Sequence, residues 1–222
     1  ISIGPLSFQP SELVKIAFCL TFAKHLDTLR KRGLVDNPVH VVLLACHALV
    51  PMLLCQLQGD TGAAIVFFAM FLCMSLAAGV KLRYFAILGG MVLVALPLVW
   101  RFAMTEYQKD RIVALFNLDN VDVQVNEGYQ QYQGMISIGS GKVTGQGLFN
   151  GSRVASNSVP FQQSDYIFSV AGEELGLVGC SLIILLLFLL LVKVIHVAHS
   201  SRDDLGKFIC FGYFGIIALQ SI

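Results

Sequence analysis

Charge is scarce in this sequence. Of its 222 residues only 13% are Asp, Glu, Lys or Arg, against about a quarter in an ordinary soluble domain. The formal net charge is +1, so no global basic field points to nucleic acid as a partner. The five histidines show no HExxH or facial-triad spacing, and no CxxC or metal-type Cys/His spacing is present. Walker A, GxSxG and Rossmann fingerprints are also missing, which excludes a soluble-type nucleotide engine and gives no reason to expect a nucleotide or organic cofactor. The six cysteines (Cys19, Cys46, Cys55, Cys73, Cys180 and Cys210) all fall in or beside apolar runs. They read as small buried hydrophobes rather than as a disulfide framework. No signal-peptide pattern is found at Ile1, and the last apolar run stops short of a comfortable span. The chain is therefore read as an internal piece of a larger membrane protein.

What the sequence has instead is apolar length. Hydrophobic residues make up 56% of it, and its mean hydropathy is +0.74. Six apolar segments are expected at about Leu13–Leu26, Val39–Leu57, Gly62–Val80, Tyr84–Trp100, Ile167–Val192 and Phe208–Ile222. A bilayer needs roughly 20 apolar residues per helix, and backbone polar groups have no water to bond inside it. The expected fold is an all-α integral membrane protein, a polytopic helical bundle.

Basic residues set the orientation. Arg30–Arg32, Lys81–Arg83 and the group Lys193, Arg202 and Lys207 lie in alternate connections, which are expected in the cytoplasm. The turn at Asp60, the Gln9 region and the stretch 101–165 then lie outside. That outer stretch is expected to be a long extracytoplasmic loop within one membrane domain, 1–222. Its centre, "GYQQYQGMISIGSGKVTGQGLFNG", has six glycines between Gly134 and Gly151. "YQGMISIGSG" suits a short half-helix or re-entrant turn. The remainder is too glycine-rich for a regular helix, and such backbone at membrane depth is tolerated where it lines a wet cavity.

Several polar residues stand out. Glu12 and Lys15, three apart, share a helix face and read as an internal ion pair that neutralises two costly charges. Asp60, in "QLQGDTGAAIV", is either a helix cap or a carboxylate facing a polar cavity. Asp165, in "FQQSDYIFSVAGEELG", precedes the fifth segment. It is either an N-cap, in competition with Ser164, or a partly desolvated carboxylate able to act as general base or metal ligand. Glu173 and Glu174 follow so closely that at least one faces inward, as a functional acid or as a packing residue. Lys142 and Arg111 are the loop cations best placed to meet an anionic ligand, with Gln133 and Ser137 as polar neighbours in the same loop.

Four stretches together resemble the SEDS family, which includes the RodA, FtsW and SpoVE proteins. They are "IGPLSFQPSELVKI", "LQGDTGAAIVFFAMFL" with "AAGVKLRYF", "GYQQYQGMISIGSGKVTGQGL" and "SDYIFSVAGEELGLVG". Each is weak alone; four in order are specific, and the resemblance covers essentially the whole chain. It implies about six helices of a fold of about ten, from about the third into the eighth. It also implies a peptidoglycan glycosyltransferase that polymerises lipid II beside a class B penicillin-binding protein. The family's essential aspartate carries onto Asp165, its Glu/Lys pair onto Glu12 and Lys15, and its inter-helix aspartate onto Asp60. Many members have a glutamate where this chain has Phe161, so any role of that glutamate is missing here.

The implied chemistry is attack of a sugar hydroxyl on an anomeric carbon with loss of a lipid diphosphate. Asp165 is the expected base. Lys142, Arg111 or a divalent cation (Mg or Mn) on Asp165 would offset the leaving charge. Backbone N–H groups of the glycine-rich segment are expected to approach the phosphates. Gln133, Ser137 and Asp60 are expected to bind substrate, Glu173 and Glu174 to support the site from behind, and the lipid tails to stay in the bilayer between helices. A lipid II flippase, a non-catalytic scaffold for a transpeptidase, and an unrelated channel or transporter are the competing readings. Elongation, division and sporulation roles share these motifs.

Overall fold

The computed structural model describes residues 2–3, 6–7, 9–102, 106, 109–110, 112–113, 128–156 and 166–221. The described chain is helical apart from two short strands, β1 (Ser2–Ile3) and β2 (Leu6–Ser7), paired antiparallel. The helices are α1 (Pro10–Lys31), α2 (Pro38–Leu57), α3 (Thr61–Ala78), α4 (Leu82–Phe102), α5 (Tyr129–Ser140), α6 (Ser152–Ala155), α7 (Ile167–Ser200) and α8 (Asp204–Gln220). All six expected segments are helices. Four of them, α2, α3, α4 and α7, are long and apolar enough to cross a membrane.

Local chemistry explains the boundaries. Pro10 and Pro38 open α1 and α2 where a missing N–H costs nothing. The Asn37 side chain accepts the N–H of Val39 at 3.0 Å, and Asp60 accepts that of Ala63 at 2.9 Å. Gly79, at φ 85°, ends α3. The N–H of Val80 reaches back to the Ser75 carbonyl, so orphan carbonyls find partners.

The chain forms two compact units, residues 1–90 with 187–222, and residues 91–186. In the first unit α8 packs mainly on α3 and α1, and α2 packs on α3 and α1. The buried face of α1 runs Ser11, Lys15, Phe18, Phe22, Leu26 and Leu29, a helical stripe with period near 3.6. Phe18 and Phe22 stack at 5.0 Å, and Phe67 meets Phe18 edge-on at 5.4 Å. Gly215 of α8 lies against the backbone of Ala69 and Met70. A Cβ there would sit 3.2 Å from the Ala69 carbonyl, the close approach that small residues give membrane helices.

The two ends of this unit differ chemically. At one, Arg30 pairs with Asp204 at 3.1 Å and Lys81 with Asp36 at 3.0 Å, while the Tyr84 hydroxyl donates to the Asp36 carbonyl at 2.8 Å. The basic connections after α1, α3 and α7 thus meet at one end. At the other lie Gln9, Asp60 and Gln220.

The second unit holds α5, α6 and the first part of α7. Gly176, at φ 66° and ψ −164°, breaks α7. Only glycine adopts that conformation without strain.

Candidate functional site

A break in a membrane helix exposes backbone groups that lipid cannot satisfy. In a regular helix, Leu177 and Val178 would donate to Glu173 and Glu174. Here the loop after α5 takes both bonds. Leu177 N–H donates to the Lys142 carbonyl at 2.9 Å and Val178 N–H to that of Val143 at 3.2 Å. In return, Gln146 N–H donates to the Glu173 carbonyl at 2.9 Å and Gly147 N–H to that of Glu174 at 3.1 Å. The glycine-rich segment is inserted into α7, and every group freed at these positions is paired.

The glycines allow that contact. A Cβ on Gly141 would collide with the Gly172 carbonyl, one on Gly145 with the Glu174 carbonyl, and one on Gly176 with the Gly145 backbone nitrogen. Gly134 of α5 lies against Tyr166 and Ser169, where a Cβ would stand 2.9 Å from the Ser169 hydroxyl. Four of the N–H groups expected to approach phosphates are committed within the protein. Those of Lys142, Gly145, Gln146 and Gly147 are used on the carbonyls of Gly139, Gly141, Glu173 and Glu174. The glycines serve close packing.

The side chains at this junction form one network. Glu173 is fully buried, and its Oε1 accepts the backbone N–H of Arg153 at 2.8 Å. Its Oε2 is buried without a hydrogen-bond partner among the described residues. The Arg153 guanidinium donates through Nε to Ser137 Oγ at 3.2 Å and through an Nη to Gln133 Oε1. Ser137 is fully buried. Gln146 ties the network together, donating to Ser140 Oγ at 3.0 Å and accepting the N–H of Ser152 at 3.1 Å.

Of the expected site residues, Gln133, Ser137 and Glu173 converge here. Glu174 is also buried, and its carbonyl is used in the α7 break. Lys142 contributes its carbonyl, at φ 50°, while its side chain is exposed. Arg153 was not anticipated: a lone arginine in a polar stretch carries no pattern until the loop folds onto α5. Asp165, Arg111 and Phe161 lie outside the described residues.

Asp60, Glu12 and Lys15 belong to the first unit and share a second site. Lys15 Nζ and Glu12 Oε1 are 2.6 Å apart; Lys15 is 3% exposed and Glu12 55%. Asp60 has both roles that its sequence left open. One carboxylate oxygen caps α3, and the other accepts the Gln9 side-chain amide at 2.7 Å. With Gln9, Ile65 and Gln220, the three line a cavity of about 460 Å³.

Two further features escaped sequence reasoning. Asp27 of α1 is buried and paired with Lys31 at 2.8 Å. His25 and His47, distant in sequence, bring their Nδ1 atoms to 3.3 Å, so one imidazole donates to the other. Among the described residues no three His, Cys, Asp or Glu side chains converge to hold a metal ion, and all six cysteines are free.

Comparison with known proteins assigns the chain. Residues 1–222 match the FtsW/RodA/SpoVE family, described as cell cycle proteins. The chain belongs to the FtsW/RodA/SpoVE family. Within that family it is 32% identical, over 222 residues, to a protein of Geobacter sulfurreducens named probable peptidoglycan glycosyltransferase FtsW, covering 100% of this chain and 58% of the relative. It is 30% identical over 218 residues to the peptidoglycan glycosyltransferase MrdB of Escherichia coli K12, covering 98% of this chain and 57% of MrdB. The chain thus spans somewhat over half the length of these curated relatives. A solved chain from work on the structural coordination of polymerization and crosslinking by a peptidoglycan synthase complex superposes with a TM-score of 0.73. That match covers 99% of this chain and 59% of the other at 24% identity. The broken α7 and the packed α1, α3 and α8 are thus features of a family member with a matching fold.

Proposed function

We propose that this chain forms the core of a peptidoglycan glycosyltransferase that polymerises lipid II at the bacterial cytoplasmic membrane. The observation that carries the reading is the family match along all 222 residues, to relatives named for that activity. In this reading the basic ends of α1, α3 and α7 lie in the cytoplasm. The stretch 101–165 lies outside, beside the site where sugar is transferred.

Asp165 is the proposed base that takes the proton of the attacking hydroxyl, since a neutral hydroxyl is a weak nucleophile. The leaving lipid diphosphate requires positive charge nearby, for which Lys142 and Arg111 remain candidates. A divalent cation on Asp165 would add Lewis acidity; the described residues offer no converged ligand set for one. Asp60 would meet substrate from the cavity it shares with Glu12 and Lys15. A class B penicillin-binding protein is the proposed partner, crosslinking the strands made here.

A second reading, lipid II translocation, is favoured by one observation. Gln9, Glu12, Lys15 and Asp60 line one cavity at the end of the first unit, together with apolar Ile65, Val66 and Leu219. One pair of assays separates the two. Purified full-length protein with its partner is expected to convert lipid II into glycan strands. Transfer of lipid II between vesicle leaflets with no polymer formed would favour translocation instead.

A further inference from the structure

We infer that Arg153 binds a phosphate of the lipid diphosphate, an assignment that rests on the polymerase reading and makes that site more specific. A guanidinium is always protonated and carries five N–H donors in a planar fork. Arg153 uses Nε on Ser137 and one Nη on Gln133. Both acceptors are neutral. Among the described residues, no carboxylate lies within ion-pair distance of the Arg153 side chain. The nearby acid, Glu173, is engaged by the Arg153 backbone N–H instead. Among the described residues the charge is thus held in position without a direct ion-pair partner, and none of them takes the remaining Nη donors, which suit an anion.

The half-buried setting sharpens this. Ser137 is fully buried and Gln133 partly so, so the guanidinium is held against a desolvated wall where a charged hydrogen bond is worth more than in water. Arg153 differs from the other described candidates of this segment in being held in place by neutral acceptors. The Lys142 side chain is exposed, and the N–H groups of Gly145, Gln146 and Gly147 are spent on the carbonyls of Gly141, Glu173 and Glu174. A planar fork with adjacent free donors matches two oxygens of a phosphate. Gln133 and Ser137 then act as positioning residues that aim Arg153.

The test uses full-length protein with its transpeptidase partner, lipid II as substrate and undecaprenyl diphosphate as competing product. Arg153→Ala is expected to raise KM for lipid II and the inhibition constant for undecaprenyl diphosphate together, each by roughly 10- to 100-fold. Arg153→Lys should recover part of both, since it restores charge without the fork. Gln133→Ala leaves the Arg153–Glu173 backbone bond in place and should shift both constants in the same direction by a smaller factor, which keeps the test open if Arg153→Ala does not fold. Unchanged constants in folded Arg153→Lys and Gln133→Ala proteins would overturn the assignment while leaving polymerisation intact. If wild-type protein makes no polymer, the polymerase reading falls separately. Direct binding of undecaprenyl diphosphate to wild type and variants then decides this inference, equal binding counting against it.

Discussion

Glu173 and Leu177 stand four residues apart in α7 yet do not share the hydrogen bond that this spacing makes in a helix. Glu173 gives its carbonyl to Gln146, and Leu177 gives its N–H to Lys142, both at 2.9 Å. A loop some 30 residues earlier in the chain has replaced a turn of helix. The junction places a buried carboxylate, a guanidinium and two neutral acceptors together, and it depends on glycines at the points of closest contact.

The glycine dependence predicts a contrast. Gly145→Ala and Gly176→Ala each put a Cβ into backbone atoms at positive φ, so each is expected to destabilise the protein by about 2 kcal/mol or more. Gly89→Ala in α4 meets nothing within 4 Å and should be neutral or stabilising by up to about 1 kcal/mol. Thermal unfolding in detergent, followed by size-exclusion chromatography, ranks the three. Equal midpoints would contradict the docking account.

Glu173 should be intolerant of truncation. Glu173→Ala leaves the Arg153 N–H without its acceptor and opens a cavity in a fully buried position, at an expected cost of about 2–4 kcal/mol. Glu173→Gln keeps one carbonyl acceptor and should cost less than half as much. The ordering Ala below Gln below wild type in melting temperature is the outcome to look for.

The α1 pair predicts a rescue. Glu12→Gln removes the counter-charge of an almost fully buried ammonium. Loss of one partner from a buried pair costs roughly 3–5 kcal/mol; because Glu12 is half exposed, about 2 kcal/mol is expected. Adding Lys15→Met removes the stranded charge and should restore most of that loss. A double variant no more stable than Glu12→Gln would show that Lys15 has another role, such as contact with substrate in the adjoining cavity.

At Asp60 the two carboxylate oxygens separate by substitution. Asp60→Asn retains an oxygen to cap α3 and should lose little stability, whereas Asp60→Ala should lose about 1 kcal/mol for the cap alone. Strand synthesis reduced in Asp60→Asn at unchanged stability would assign Asp60 to substrate rather than to the fold.

Much of this was legible in the sequence, for physical reasons. Lipid forces each apolar run to be a helix, so all six segments appear where hydropathy puts them. Their ends were less legible. The first segment reads as Leu13–Leu26, but α1 extends from Pro10 to Lys31; Ser11 and Asp27, beyond those bounds, are buried against protein, and a polar residue facing protein looks like a break in hydropathy. "YQGMISIGSG" reads as a half-helix or a re-entrant turn, and it falls largely within α5. The insertion of its following loop into α7 was not, since backbone pairing between distant segments leaves no periodicity. Arg153 was hidden for the same reason. Asp60 was legible in both its roles, because a cap and a cavity carboxylate need the same residue at the same helix start.

We propose lipid II polymerisation, with Asp165 as the base, as the function of this protein. It is tested most directly by glycan-strand synthesis from purified full-length protein and its partner, comparing wild type with Asp165→Ala at matched folding. The account predicts strands from wild type and none from the variant. Undiminished strand synthesis by Asp165→Ala would contradict it.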